Sequence, residues 1–299
     1  MSGFFRGHKR RGAFDLFSSY NSYMPGFGGM FMMLGLFLLG AILGAWILGL
    51  FAKIYGGDAV LEYGSLLSYP LMYIPAMLYA TVQSRLYSHR NSAISMDCNN
   101  FGTYGGFKLS FAAAVMIMAT AFIMEPVHLL LPETTPEYEL QMKMAIEIPP
   151  VWVSFIATCI YAPFFEEWLC RGIILRGLAK RYHPAIAITV SAAFFGLIHA
   201  NIWQGVPAFL IGLVLGYVYY KSGSLKLSML MHMVNNVIAL ILLQIPQCKE
   251  ADSMMDLMSP WGYAGAYIAL TVAFVAALIV FHNLPKRQDI LDIKASAKQ

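Results

Sequence analysis

The chain has 299 residues, of which 59% are hydrophobic and only 12% charged. Its mean hydropathy is +0.61. A soluble domain carries about 25% charged residues, so this composition excludes one and predicts a polytopic membrane protein. The net charge of +4 is small, and the basic residues fall mostly in short loops. That pattern suits membrane topogenesis and argues against nucleic-acid binding.

Residues 1–29 form a basic N-terminal segment with Arg6, Lys9, Arg10 and Arg11. The apolar run from Met30 to Phe51 is too long for a signal-peptide core and lacks a cleavage pattern, so it is expected to stay as a first span. Gly40 and Gly44 inside it would let another helix come close. A second span covers Ser65 to Gln83, kinked by Pro70 and Pro75. A polar loop with Arg85 and Arg90 leads to a third span, Phe107 to Leu130. Glu125 and His128 near its far end are expected to be solvated or to snorkel, a second ionisable site being the alternative. The acidic stretch 131–150, with Glu133, Glu137, Glu139 and Glu147, is expected to be a solvated loop, gating of access being the alternative.

A fourth span runs from Val151 to Leu175, and the basic loop Arg176 to His183 follows it. The fifth covers Pro184 to Ala200, the sixth Gly205 to Tyr220 and the seventh Leu227 to Ile245. A loop then leads to the eighth, Trp261 to Phe281, and a polar tail begins at Pro285. Basic loops alternate with acidic or neutral ones. Eight spans with both termini in the cytoplasm satisfy that alternation. The expected fold is all-α, a polytopic integral membrane protein. Its units are the N-terminal segment 1–29, three spans over 30–150, a catalytic core of spans four to seven over 151–245, a last loop and span over 246–284, and a cytoplasmic tail, 285–299. Of the four cysteines, none is placed to pair, so no disulfide framework is expected.

The fourth span contains Glu166, Glu167 and Arg171. A charge at mid-membrane costs roughly 2.5–3.5 kcal/mol even on insertion scales. Glu167 and Arg171 are four apart, share a helix face and neutralise each other. Glu166 is displaced by about 100° around the helix and has no such partner in its own segment. An unpaired intramembrane carboxylate marks a functional site by default. Two histidines also lie in apolar spans, His199 in the fifth and His232 in the seventh. Asn236, four residues after His232, shares its face. Singly, each reads as polar glue between helices. Together they supply a hydrolytic site. Glu and His can hold and deprotonate a water, and a second His with Asn can donate to an oxyanion. The alternative is a divalent ion, zinc for example, bound by Glu166, His199 and His232 with one position open. Cys170 is the one nucleophile nearby, and buried cysteines are usually inert.

Three motifs, Glu166-Glu167-x-x-x-Arg171, Phe195-x-x-x-His199 and His232-x-x-x-Asn236, occur in this order on separate spans. The chain thereby resembles the CPBP family of intramembrane proteases, which includes type II CAAX prenyl endopeptidases and bacterial Abi-type proteins. The resemblance covers roughly Val151 to Ile245. It implies that Glu166 and His199 activate the water, that His232 and Asn236 stabilise the oxyanion, and that Glu167 and Arg171 support the site. It implies a membrane-associated peptide or protein as substrate, prenylated or lipid-anchored in some members, and the lipid bilayer as surroundings. A bacterial inner membrane is the expected location. The rival readings are a membrane carrier or proton relay, and a non-catalytic immunity or scaffold protein of the same fold.

Overall fold

A backbone in lipid must satisfy its own hydrogen bonds, which helices do within one segment. The structure, a computed structural model, describes residues 17–88, 93–251 and 253–287. Arg6, Lys9, Arg10, Arg11, Arg90 and the tail after 287 lie outside the described residues. The described elements are helical: α1 (Phe27–Tyr55), α2 (Gly57–Tyr87), α3 (Gly105–Met124), α4 (Pro136–Met142), α5 (Val151–Arg181), α6 (Pro184–Leu197), α7 (Ile202–Ser222), α8 (Leu225–Leu242), α9 (Pro246–Glu250) and α10 (Pro260–His282). A 3₁₀ stretch, Glu125–Leu130, extends α3. Among the described residues, seven helices are long and apolar enough to cross a membrane: α1, α2, α3 with its extension, α5, α7, α8 and α10. The protein is thus a polytopic membrane protein.

The remaining expected span, the fifth, is α6, and it falls short. Its 14 residues rise about 21 Å, against a hydrocarbon core of about 30 Å. The helix ends at Leu197, two residues before His199, and Ala200 turns through a left-handed φ of 57°. The Asn201 side chain then caps the N-terminus of α7 by accepting from the Gln204 amide at 2.8 Å. Apolar composition carried the expected span through to Ala200, and the backbone reverses earlier.

α5 lies at the centre. Its membrane-length window is 61% buried, whereas that of α10 is 11% buried and faces outward. Two wide π-helical stretches, Phe155–Tyr161 and Trp168–Leu175, interrupt α5 on either side of the short α-helical turn Ala162–Glu167. Such bulges are rare and often mark functional sites. α8, α6 and α2 pack against α5. α1 and α2 form a tight hairpin; a Cβ on Gly40 would collide with the Met72 carbonyl, so the close approach expected of this glycine is realised.

Charge divides the two ends of the bundle. At one end Asp97 bonds Ser224 Oγ and the Leu225 amide at 3.1 and 2.8 Å and pairs with Lys226, while Lys221 Nζ donates to the His282 carbonyl at 2.7 Å. Arg176 and Arg181 are at this end too. Arg176, expected in a basic loop, is only 2% exposed. Its guanidinium donates to the carbonyls of Tyr20, Asn21, Tyr23 and Ile94 at 2.7, 3.3, 2.8 and 2.6 Å. The segment before α1 is thereby folded in beneath α5. A backbone carbonyl cannot neutralise a charge, but four of them solvate a guanidinium in place of water.

At the other end lie Glu125 and the acidic segment 131–150. Glu125 accepts from the Met254 amide at 2.9 Å and the Tyr263 hydroxyl at 3.0 Å, so it ties α3 to α10 where a solvated side chain was expected. The acidic segment is also ordered. It forms α4 and a π-helical stretch, Lys143–Glu147. Tyr138 of α4 stacks on Trp203 with ring centroids 4.8 Å apart, and Trp203 Nε1 donates to the Pro132 carbonyl at 2.9 Å. Burial of its ring in this stack raises the pKa of Tyr138. Cys159 and Cys170 are buried, and Cys98 and Cys248 are partly exposed.

Candidate active site

Glu167 is fully buried, and its two oxygens take three donors. Arg171 Nη1 donates to Oε1 at 2.7 Å, the Ser228 hydroxyl donates to Oε2, and His232 Nδ1 lies 3.1 Å from Oε1. The i, i+4 pair read from the sequence is present. It is also wider than a pair, because α8 contributes Ser228 and His232. Arg171 is itself fully buried. Its Nη2 donates to the Gly212 carbonyl on α7 at 3.0 Å, and its guanidinium lies 4.5 Å over the Phe195 ring on α6. One buried cation therefore joins α5, α6 and α7.

His232 stands between two carboxylates. Glu167 accepts from Nδ1, which sets that nitrogen as the protonated one. Nε2 then faces Glu166, with 3.9 Å between Nε2 and Oε2. That separation is too long for a direct hydrogen bond. Glu166 is 6% exposed, and its Oε2 is buried with no hydrogen-bond partner. Its other oxygen, Oε1, accepts from the Tyr69 hydroxyl of α2. Sequence reading missed Tyr69. It is one of 17 tyrosines, and no spacing marks it as facing a residue 97 positions away.

His199 and Asn236 make no direct bond to Glu166 among the contacts described. The His199 Nδ1 lies 2.8 Å from the Phe195 carbonyl, one turn back. A carbonyl only accepts, so Nδ1 carries the proton and Nε2 keeps its lone pair. This bond also satisfies a carbonyl left open by the early end of α6. The Phe195 ring touches both imidazoles edge-on, with centroids 5.1 Å from His199 and 5.4 Å from His232. Asn236 Nδ2 donates to the Thr158 carbonyl at 2.8 Å, and its Oδ1 accepts from Asn235 at 3.1 Å. Thr158 lies in the first wide stretch of α5. Its own hydroxyl donates to the Ser154 carbonyl at 2.7 Å.

The arrangement offers a buried carboxylate oxygen with no donor of its own beside an imidazole nitrogen. A water beside that pair can bond to both groups and can lose a proton to the carboxylate. The metal alternative fits less well. Among the described residues, no group of three or more His, Cys, Asp or Glu side chains gathers to hold an ion. Glu166 and His232 approach each other, whereas none of the described contacts brings His199 directly against either; its Nδ1 bond to the Phe195 carbonyl leaves Nε2 open and does not itself count against an ion. We therefore route no step through an ion. Cys170 is fully buried in the apolar core around Trp168 and Ile173, the setting of an inert thiol.

Comparison with known proteins agrees with the motifs. Residues 148–238 match the family model described as type II CAAX prenyl endopeptidase Rce1-like. The match takes in all three motifs, and it is the family they resemble. A curated Escherichia coli relative, described as an uncharacterized 24.3 kDa protein, is 30% identical over 99 residues. That alignment covers 31% of this chain and 46% of the relative, so the chain spans about half the length of the curated relative it matches. No solved structure matches.

Proposed function

We propose, on the premise that residues 148–238 are of the type II CAAX prenyl endopeptidase family, that the protein is an intramembrane endopeptidase. It hydrolyses a peptide bond of a membrane-associated peptide or protein, a lipid-anchored one included. The carrying observation is the Glu166 carboxylate: Tyr69 holds one oxygen, and the other is buried and unbonded 3.9 Å from His232 Nε2.

In this reading Glu166 accepts a proton from a water, and the resulting hydroxide attacks the scissile carbonyl carbon. The lone pair of His199 Nε2 holds and aims the same water. His232, with Glu167 behind it, donates from Nε2 when protonated to the tetrahedral oxyanion. Asn236 adds its second amide hydrogen, since Thr158 uses only one. The C–N bond then breaks, and the proton held on Glu166 passes to the leaving amine. No covalent enzyme intermediate is required. The basic end of the bundle lies in the cytoplasm by the positive-inside rule, with both termini on that side, in the inner membrane of a bacterium.

The test is cleavage of a panel of quenched peptides by purified protein in detergent. Wild type should cleave, and Glu166→Gln, His199→Ala and His232→Ala should fall by about 10²-fold or more. A silent wild type, or mutants as active as wild type, sinks the reading. Flux of a solute into liposomes without peptide cleavage would favour a carrier instead.

A further inference from the structure

We infer that Tyr69 is a positioning residue for this hydrolysis, acting through Glu166; the inference rests on the peptidase reading. A carboxylate acting as base has two oxygens and can turn about its last bond. Catalysis gains when a third group fixes which oxygen faces the reaction. The Tyr69 hydroxyl donates to Glu166 Oε1, and that leaves Oε2 as the oxygen near His232.

The ring that carries this hydroxyl is held firmly. Tyr69 stacks on Tyr73 with centroids 6.0 Å apart, and Tyr73 stacks on Phe165 at 5.0 Å and meets Phe37 edge-on at 5.2 Å. Phe165 is the residue before Glu166, so the aromatic column ties the tyrosine of α2 to the backbone that bears the carboxylate. Pro70 follows Tyr69 inside α2 and removes a backbone N–H there, which loosens the helix at this turn and lets it bend. The first two helices lie outside the matched segment 148–238. Through Tyr69 they become part of the catalytic unit.

Tyr69→Phe removes the donor and keeps the ring and its stacking. The infrared band of the Glu166 carboxyl group is identified in the full-length purified protein as the band missing from Glu166→Gln. In Tyr69→Phe this band should shift. Peptide cleavage should show kcat reduced about ten- to a hundredfold, the worth of one hydrogen bond to a charged group, with KM changed less than about twofold because Tyr69 touches no substrate. The unfolding temperature should stay near that of wild type. Should Tyr69→Phe fail to fold, 3-fluorotyrosine at position 69 keeps both ring and hydroxyl. Its stronger acidity should shift the same band. An unmoved band in either variant overturns the Tyr69–Glu166 bond, whatever happens to cleavage. A shifted band with unchanged kcat overturns the positioning role. A wild-type chain that cleaves no peptide overturns the peptidase reading, and the catalytic role of Tyr69 falls with it. The infrared result tells these failures apart.

Discussion

Glu166 and Glu167 are neighbours in sequence with different surroundings, and the difference sets what each should do when changed. Glu167 is saturated with donors from Arg171, Ser228 and His232. Removing Arg171 leaves a buried carboxylate short of its counter-charge, a change that costs roughly 3–5 kcal/mol. Arg171→Ala should therefore lower the thermal unfolding temperature in detergent sharply and lose cleavage with it. In Glu166→Gln the amide oxygen can still accept from Tyr69, so the unfolding temperature should hold while cleavage disappears. Should Glu166→Gln remain active, the roles within the pair are reversed. Among the described residues, Arg176 has no carboxylate in its hydrogen bonds; it holds the carbonyls of Tyr20, Asn21, Tyr23 and Ile94. Arg176→Met should cost at least about 3 kcal/mol, since several charge-assisted bonds vanish together. Limited proteolysis should then cut the segment before α1 ahead of the rest of the chain.

At the scale of the element, close packing and early helix ends shape the site. The α1–α2 hairpin depends on Gly40 having no side chain. Gly40→Val should force the helices apart, with destabilisation of about 1–3 kcal/mol or more, read as a lower unfolding temperature. Because α2 carries Tyr69, cleavage should decline as well. α6 ends early, and its turn is tied to the acidic segment. The Asn201 side chain donates to the His199 carbonyl at 2.9 Å and to Gln204 Oε1 at 2.8 Å, and Gln204 Nε2 reaches Met142 sulfur at 3.3 Å. Trp203 adds its stack on Tyr138. Trp203→Ala should therefore speed hydrogen exchange in 136–147 while α5 stays protected. Equal protection in the two proteins would mean that Trp203 does not hold the segment.

For the whole molecule, the sorted ends give a topological expectation. Cys98 lies at the basic end beside Gly223, whose carbonyl accepts from the Cys98 amide at 2.8 Å. Cys248 follows α8, at the acidic end. A membrane-impermeant thiol reagent should label them from opposite faces of the bilayer, and should spare Cys159 and Cys170, which are fully buried. Labelling of both from one face would break the proposed orientation.

The sequence by itself determined the membrane class, the approximate spans, the Glu167–Arg171 pair and the motif residues to examine. Each of these rests on a local rule. Apolar run length sets a span, i, i+4 spacing sets a face, and an isolated charge in an apolar run stands out at any register. Only the tertiary structure decided what meets what. Tyr69 reaches Glu166 from another helix, His232 lies between two carboxylates, and His199 sits on a turn bonded to Phe195. Arg176 was read as a loop charge because it follows the apolar run; the folded chain supplies it with carbonyls from two distant segments. Partners between helices depend on how the helices rotate and cross, which is fixed by packing over the whole bundle. The wide turns of α5, Phe155–Tyr161 and Trp168–Leu175, likewise appear only in the folded chain.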